Sequence, residues 1–240
     1  MLIYKTLNLD MKKQNIISFV GGGGKSTSID VLAKELRSIG RKVLVTTTTV
    51  IFQPQHKDND HFILGEIPKG YSPANGSITV LGRSMDDEKI RGLSPEELEE
   101  IYIKEIFDMI LVEADGARRK PIKAPAAHEP VVPSFSTITI GVIGLDSVGK
   151  SLDEENVHRL ESLTKVLNVD CPHIINDEDI IQLAIHEEGL FKGCHGKNII
   201  FLNKAYNENL ILLGKKIRRK LYDKGFKDVY ITDIQKSRIY

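Results

Sequence analysis

Tryptophan is absent from this 240-residue chain, and cysteine is nearly so, with Cys171 and Cys194 the only two. Two thiols cannot make the disulfide framework on which small secreted domains depend, so a reducing compartment and a cytoplasmic setting are expected. An excess of either charge is also missing: 33 Lys and Arg face 33 Asp and Glu, for a formal net charge of +0. That balance speaks against a protein whose task is to coat nucleic acid. No stretch approaches the ~18 consecutive apolar residues of a membrane span, so no membrane partner is expected. Internal repeats and low-complexity tracts are lacking as well. A chain of this length can bury roughly 70% of its unfolded surface, so it needs no structural metal or disulfide to hold a core.

What is present is a set of short apolar runs separated by amphipathic segments. Residues 16–20, 42–45, 109–112, 137–143, 199–202 and 229–232 read as strands buried on both faces. Between them, apolar residues recur at helical spacing over 26–39, 154–167, 177–188 and 207–224. A further helix is expected from Ser94 to about Phe107, opened by Ser94 as cap, Pro95 at the first position and Glu97 three residues after the cap. Apolar strands alternating with such helices predict an α/β fold: a P-loop NTPase-like, doubly wound, mostly parallel sheet covered on both faces. One domain spanning 1–240 is expected. The stretch 53–82, richer in Pro, Gly, Asn and His, predicts a small antiparallel insertion.

The strongest local signal lies between the first strand and the first helix: Gly21-Gly22-Gly23-Gly24-Lys25-Ser26-Thr27. Glycines let backbone N–H groups turn toward a phosphate, and the helix N-terminus behind them adds its dipole. Lys25 would reach the outer phosphates of ATP or GTP, and the Ser26 hydroxyl would ligate Mg²⁺. The longer pattern G-x-x-x-x-G-K-[ST] would need glycine where Phe19 stands. What is present is the shorter G-x-x-G-K-[ST], also seen in ATP-dependent amide ligases.

A phosphate loop needs a carboxylate at the end of a neighbouring strand. Glu113 and Asp115, in Val112-Glu113-Ala114-Asp115-Gly116, supply two. Asp115 is the first candidate for the Mg²⁺ shell and Glu113 the alternative ligand, or a base for water. The segment 114–136 that follows carries Pro121, Pro125, Pro130 and Pro133 and reads as a functional loop. Its cations Arg118, Arg119, Lys120 and Lys123 could clamp an anionic substrate or the transferring phosphate. They could equally form a solvated basic surface. His128 and Glu129 could move protons if the loop folds back over the site. Asn203-Lys204 leaves a strand end like a guanine-reading N-K-x-D, but Tyr206 stands where its aspartate would be, so the base stays open between ATP and GTP. Thr46 to Thr49 could line the phosphate pocket. Cys194-His195 has no second pair at metal-site spacing.

Taken together, Gly21 to Thr27, Thr46 to Thr49, Glu113-Ala114-Asp115-Gly116-Ala117-Arg118 through His128-Glu129-Pro130, and Gly144-Leu145-Asp146 with Val157-His158-Arg159 resemble the selenium-dependent hydroxylase accessory proteins of the YqeC family. The resemblance runs through nearly the whole chain. It implies an accessory factor, driven by a nucleotide, in the maturation of a selenium-dependent molybdenum hydroxylase, with that enzyme or its cofactor-maturation proteins as partner. It would carry nucleotide binding onto Gly24, Lys25 and Ser26, and a site role onto Asp115, Arg118, Lys123 and His128. Three readings follow: an NTPase, a small-molecule kinase or ligase, and a nucleotide-gated adaptor that does not hydrolyse.

Overall fold

The structure, a computed structural model, describes residues 2–52, 59–87 and 89–240. In chain order its strands are β1 (Asn15–Gly21), β2 (Lys42–Thr47), β3 (Val50–Phe52), β4 (His61–Leu64), β5 (Ser77–Gly82), β6 (Ser84–Asp86), β7 (Lys89–Arg91), β8 (Met109–Glu113), β9 (Ile122–Lys123), β10 (Ile138–Gly144), β11 (Val157–His158), β12 (Lys197–Asn203), β13 (Val229–Asp233) and β14 (Arg238–Ile239). Its helices are α1 (Ile3–Thr6), α2 (Lys25–Ser38), α3 (Pro95–Ile103), α4 (Leu160–Leu167), α5 (Asp177–Ile185) and α6 (Glu208–Asp223).

The main sheet runs β14-β13-β12-β10-β1-β8-β2-β5-β4. Every neighbouring pair in it is parallel except β13 with β14. From β1 the chain passes by α2 to β2 on one side, and later returns to β10 on the other. Winding therefore reverses at β1, where α/β sheets open a crevice beyond their strand ends.

Alternation along β1 assigns the two faces. Ile17 and Phe19 pack with Ile29, Leu32, Ala33 and Leu36 of α2. Val20, on the opposite face, joins the cluster built by α4, α5 and α6, and Ile16 joins the one under α3. Burying each such Leu, Ile or Phe side chain stabilises by roughly 1.5–3 kcal/mol. The sheet is thus covered on both faces, as the apolar strands require. Among the described residues, no helix is long and apolar enough to cross a membrane.

Several boundaries differ from the sequence expectation. Strand β5 pairs in parallel with β2 and β4 in parallel with β5, so the two extend the main sheet instead of forming an antiparallel insertion. Ile78, Val80 and Leu81 are buried in its core, and this burial draws β5 into the sheet. Antiparallel pairing does occur nearby, in the small sheet β3-β7-β6, whose strands flank 53–82 without lying in it. Residues 53–58 of that stretch lie outside the described ones. Helix α3 stops at Ile103: Glu105 takes a left-handed φ of 50°, and Phe107 turns into the core. The helix expected from 154 begins only at Leu160, because Val157–His158 pairs as β11 with β9.

Candidate functional site

Only Gly22, Gly23 and Gly24 separate β1 from α2. Phe19 is a fully buried strand residue opposite Glu113 of β8, so it could not serve as the first residue of a longer loop. Two of the glycines are required by space. A side chain on Gly23, whose φ is +86°, would place Cβ 2.2 Å from the Gly144 backbone nitrogen. On Gly24, with φ +127°, it would meet Asn203 Nδ2 at 2.5 Å.

The loop amides are turned largely toward protein. The Gly21 N–H donates to Asp115 Oδ2 at 3.0 Å, Gly22 to Val142 O at 2.9 Å and Gly23 to Lys120 O at 3.0 Å. What these leave for a phosphate is the start of α2. Gly24, its cap residue, offers no side-chain cap, and the first turn carries no acid. First-turn N–H groups have no intrahelical acceptor, and the helix dipole makes this end positive. An anion would find both there.

Beside that end sits a chain of buried charges. Lys25 is 3% exposed, and its ammonium donates to Gly21 O at 2.6 Å. It also lies 3.0 Å from Asp115 Oδ1 and 3.7 Å from Glu113 Oε1. Lys123, 1% exposed, takes the other Asp115 oxygen at 3.1 Å, Glu129 Oε2 at 2.8 Å and the Gly116 carbonyl at 2.8 Å. Glu129 Oε1 in turn faces Arg159 at 3.5 Å. Ser26 Oγ donates to Glu113 Oε2 at 2.9 Å. Signs therefore alternate from Glu113 through Lys25, Asp115, Lys123 and Glu129 to Arg159.

Burial sets the proton affinities. It would lower the Lys25 pKa, but Asp115 and Glu113 together outweigh it and raise the pKa above the usual lysine value. Glu113 is raised, because burial outweighs the help of Lys25 and the Ser26 hydroxyl. Both directions are physical, since the lysine sits nearer Asp115 and leaves Glu113 under-compensated. Glu129 is lowered: burial would raise it, but Lys123, the Ala126 N–H and Arg159 prevail. His158, which lies opposite Lys123 in the β9–β11 pair, is lowered to about 4 by burial and by the charges of Lys123, Arg159 and Arg118.

Asp115 Oδ1 is buried and accepts no well-angled hydrogen bond, although Lys25 is close. It and Ser26 Oγ are hard oxygens of the kind Mg²⁺ takes. Among the described residues, no three His, Cys, Asp or Glu side chains group to hold a metal by themselves. A Mg²⁺ here would complete its shell with phosphate oxygens and water, as is usual for this ion. Glu113 also lines a narrow cleft, with room for little more than one water, beside Ser26, Thr47 and the apolar Ile29, Val45 and Ile51.

Other candidates stand further from this cluster. Arg118 and His128 are exposed, and no hydrogen bond or ion pair ties either to the carboxylates among the described residues. Thr27 is exposed on the first turn of α2. Asn203 braces the loop: its Nδ2 donates to Gly23 O at 2.8 Å, while its Oδ1 accepts from Thr232 and the Ile234 N–H, each at 3.1 Å. Lys204 pairs with Asp146 at 2.9 Å. The hydroxyls of Thr46, Thr47 and Thr48 are committed to the carbonyls of Leu81, Glu113 and Val131. Sequence reasoning named His158 and Arg159 only among the residues that carry the family resemblance and gave neither a role in the site. Only the β9–β11 pairing brings them to Lys123, and nothing local in sequence announces that pairing.

Comparison with known proteins places this chain. A family model described as YqeC protein matches residues 17–161, a span running from β1 past Arg159 and holding the whole charge chain. The protein YqeC of Escherichia coli (strain K12) is 30% identical over 230 residues, covering 93% of this chain and 89% of its own length. A family match over more than half of the chain, together with a 30% identical relative that spans most of it, makes this chain a member of the YqeC family.

Proposed function

We propose that the protein binds a nucleoside triphosphate with Mg²⁺ at the start of α2 and hydrolyses it, as an accessory factor in maturing a selenium-dependent molybdenum hydroxylase. The observation that carries the nucleotide reading is the buried Lys25 ammonium between Asp115 and Glu113, beside an uncapped helix N-terminus at adjacent parallel strand ends. A lysine so held needs only to exchange Asp115 Oδ1 for phosphate oxygens. Ser26 and the freed Asp115 Oδ1 would hold the Mg²⁺, which supplies charge neutralisation on the β- and γ-phosphate oxygens. Water attacks the γ-phosphorus as the bond to the β–γ bridging oxygen breaks. The electron pair leaves with the diphosphate, and the water proton passes to Glu113. A carboxylate raised by burial and open to the cleft suits that base role. The hydroxylase link rests on the family resemblance.

The test is phosphate release from ATP and GTP with Mg²⁺, in wild type and in Glu113→Gln. The expected result is slow turnover in wild type, reduced roughly 10²–10⁴-fold in the variant with nucleotide still bound. Wild-type turnover unaffected by the substitution would remove Glu113 from the chemistry. The exposed Arg118 of the basic loop favours one other reading, in which that loop holds a small-molecule hydroxyl that replaces water as acceptor. Consumption of ATP only when a metabolite is added would select it.

A further inference from the structure

A carboxylate that the charge chain does not use stands at the end of β13. Asp233 is 5% exposed, and its Oδ2 is buried without a hydrogen-bond partner among the described residues. Its one ion-pair contact there is Lys236 of the following turn, 4.0 Å away on a side chain that is 57% exposed. A buried carboxylate oxygen left in this way costs free energy that a ligand with N–H donors would recover. Backbone and side-chain bonds fix Asp233 relative to the glycine loop. Asn203 Oδ1 accepts from Thr232 Oγ1 and the Ile234 N–H, the residues on either side of Asp233, while Asn203 Nδ2 donates to Gly23 O at 2.8 Å. The Ala205 N–H donates to Thr232 O at 3.0 Å, which ties the turn after β12 to the residue before Asp233. Pairing with Arg238 of β14 holds the same strand end from its other side. Asp233 thus ends the strand next to β12, at the edge where parallel α/β sheets receive ligands. The β12 turn itself has no carboxylate to offer: Lys204 is tied to Asp146 at 2.9 Å, and Tyr206 stands where N-K-x-D has its aspartate.

From this juxtaposition we infer that Asp233 reads the base of the nucleotide, supplying from β13 the carboxylate that the β12 turn lacks, and that the base is guanine. The inference rests on the nucleotide reading proposed for the start of α2 and gives that site its substrate. Chemistry selects the base. Guanine presents two adjacent donors, the N1–H and the 2-amino group, to the two oxygens of one carboxylate. Adenine presents one amino group beside the N1 lone pair, which a carboxylate repels. A wrong base therefore leaves a buried acceptor unpaired, and this is the source of strong discrimination between ligands of similar shape. Lys236, loosely placed and largely in water, yields its position as the base enters. Asn203 is not the reader, because its amide is committed to Gly23, Thr232 and Ile234.

The test is calorimetric titration of the magnesium complexes of GTP, ATP, inosine triphosphate and xanthosine triphosphate into the full chain, as wild type and as Asp233→Asn. Wild type should bind GTP roughly 10²-fold or more tighter than ATP, at about tenfold for each of two charge-assisted bonds. Inosine triphosphate, which lacks the 2-amino group, should fall between them. Asp233→Asn should lose the preference for GTP over ATP and bind xanthosine triphosphate tighter than GTP, because its amide N–H donates to the carbonyl that xanthine carries in place of the 2-amino group. A variant that merely misfolds cannot gain a ligand, so this exchange separates base reading from a structural role. Wild type that binds ATP as tightly as GTP, or tighter, would overturn the inference and leave the phosphate site standing. So would a ratio of GTP to ATP affinity that is unchanged in Asp233→Asn. Binding of none of the four nucleotides would remove the nucleotide reading itself, and the role of Asp233 with it.

Discussion

Lys123 is where one substitution would be felt most widely. Its ammonium is 1% exposed and neutralises two buried carboxylates, Asp115 and Glu129, at 3.1 and 2.8 Å. Lys123→Met leaves Glu129 without its nearest partner and Asp115 with Lys25 as its one cation, and breaking a buried pair in this way costs about 3–5 kcal/mol. Urea unfolding at neutral pH should show a loss of that order; a change within 0.5 kcal/mol would mean water reaches the cluster. Glu113 behaves in the opposite sense. Its folded pKa is raised, so the native state holds the proton more tightly, and stability falls as pH rises from the unfolded value through the folded one. Glu113→Gln should therefore be more stable than wild type at pH 7, by on the order of 1 kcal/mol, while losing turnover. His158 has a folded pKa of about 4 against an ordinary 6.5. Its neutral form contributes stability that is present above pH 6.5 and lost as pH falls from 6.5 to 4. The groups that set this are Lys123, Arg159, Arg118 and, in the other direction, Glu129. His158→Gln should flatten the pH dependence of unfolding in that window; an unchanged slope would place the imidazole in solvent.

At the scale of elements, the glycine loop is held from behind by β12. Asn203 is 4% exposed and joins Gly23 O to Thr232 and the Ile234 N–H, so it ties the loop to the β13 end of the sheet. Asn203→Ala should weaken ATP and GTP alike by roughly tenfold, because it loosens the loop and not a contact to the base. A change in preference between the two nucleotides would instead make Asn203 a reader of the base. The same element shows what a sequence can convey. Local spacing exposed the loop, Lys25 and the two carboxylates, because strand, glycines, helix and acidic strand end each have a local pattern. It led toward a base-reading role for Asn203, because the N-K pair is visible in sequence and the partner Gly23 is not. The 53–82 stretch was legible as β structure but not in its pairing: the parallel partnership of β4 with β5 is a long-range contact that a four-residue run cannot specify. Likewise β11 is two residues long, and its pairing with β9 puts His158 beside Lys123 with no periodicity to reveal it.

Across the whole molecule, a sheet of eight parallel strands and one antiparallel edge strand carries β1 at its winding reversal, and the charges of the site gather beyond the strand ends, on β8, the start of α2, β9 and the loops that follow. The doubly wound arrangement was readable from apolar strands alternating with amphipathic helices, since burial on both faces leaves few other architectures. The packing of the 114–136 segment over the glycine loop was not, because it depends on backbone contacts such as Gly23 N–H to Lys120 O. That covering is why Lys25 lies buried among carboxylates, and the central claim is that a triphosphate releases it. The most direct measurement is calorimetric titration of Mg-ATP and Mg-GTP into the wild type and into Lys25→Ala, with folding of the variant checked by circular dichroism. Saturable binding of at least one nucleotide, weakened tenfold or more in Lys25→Ala, is the predicted result. No binding of either nucleotide, or equal affinity in the variant, would mean that Lys25 serves only its internal ion pairs and that the short glycine loop is a structural turn.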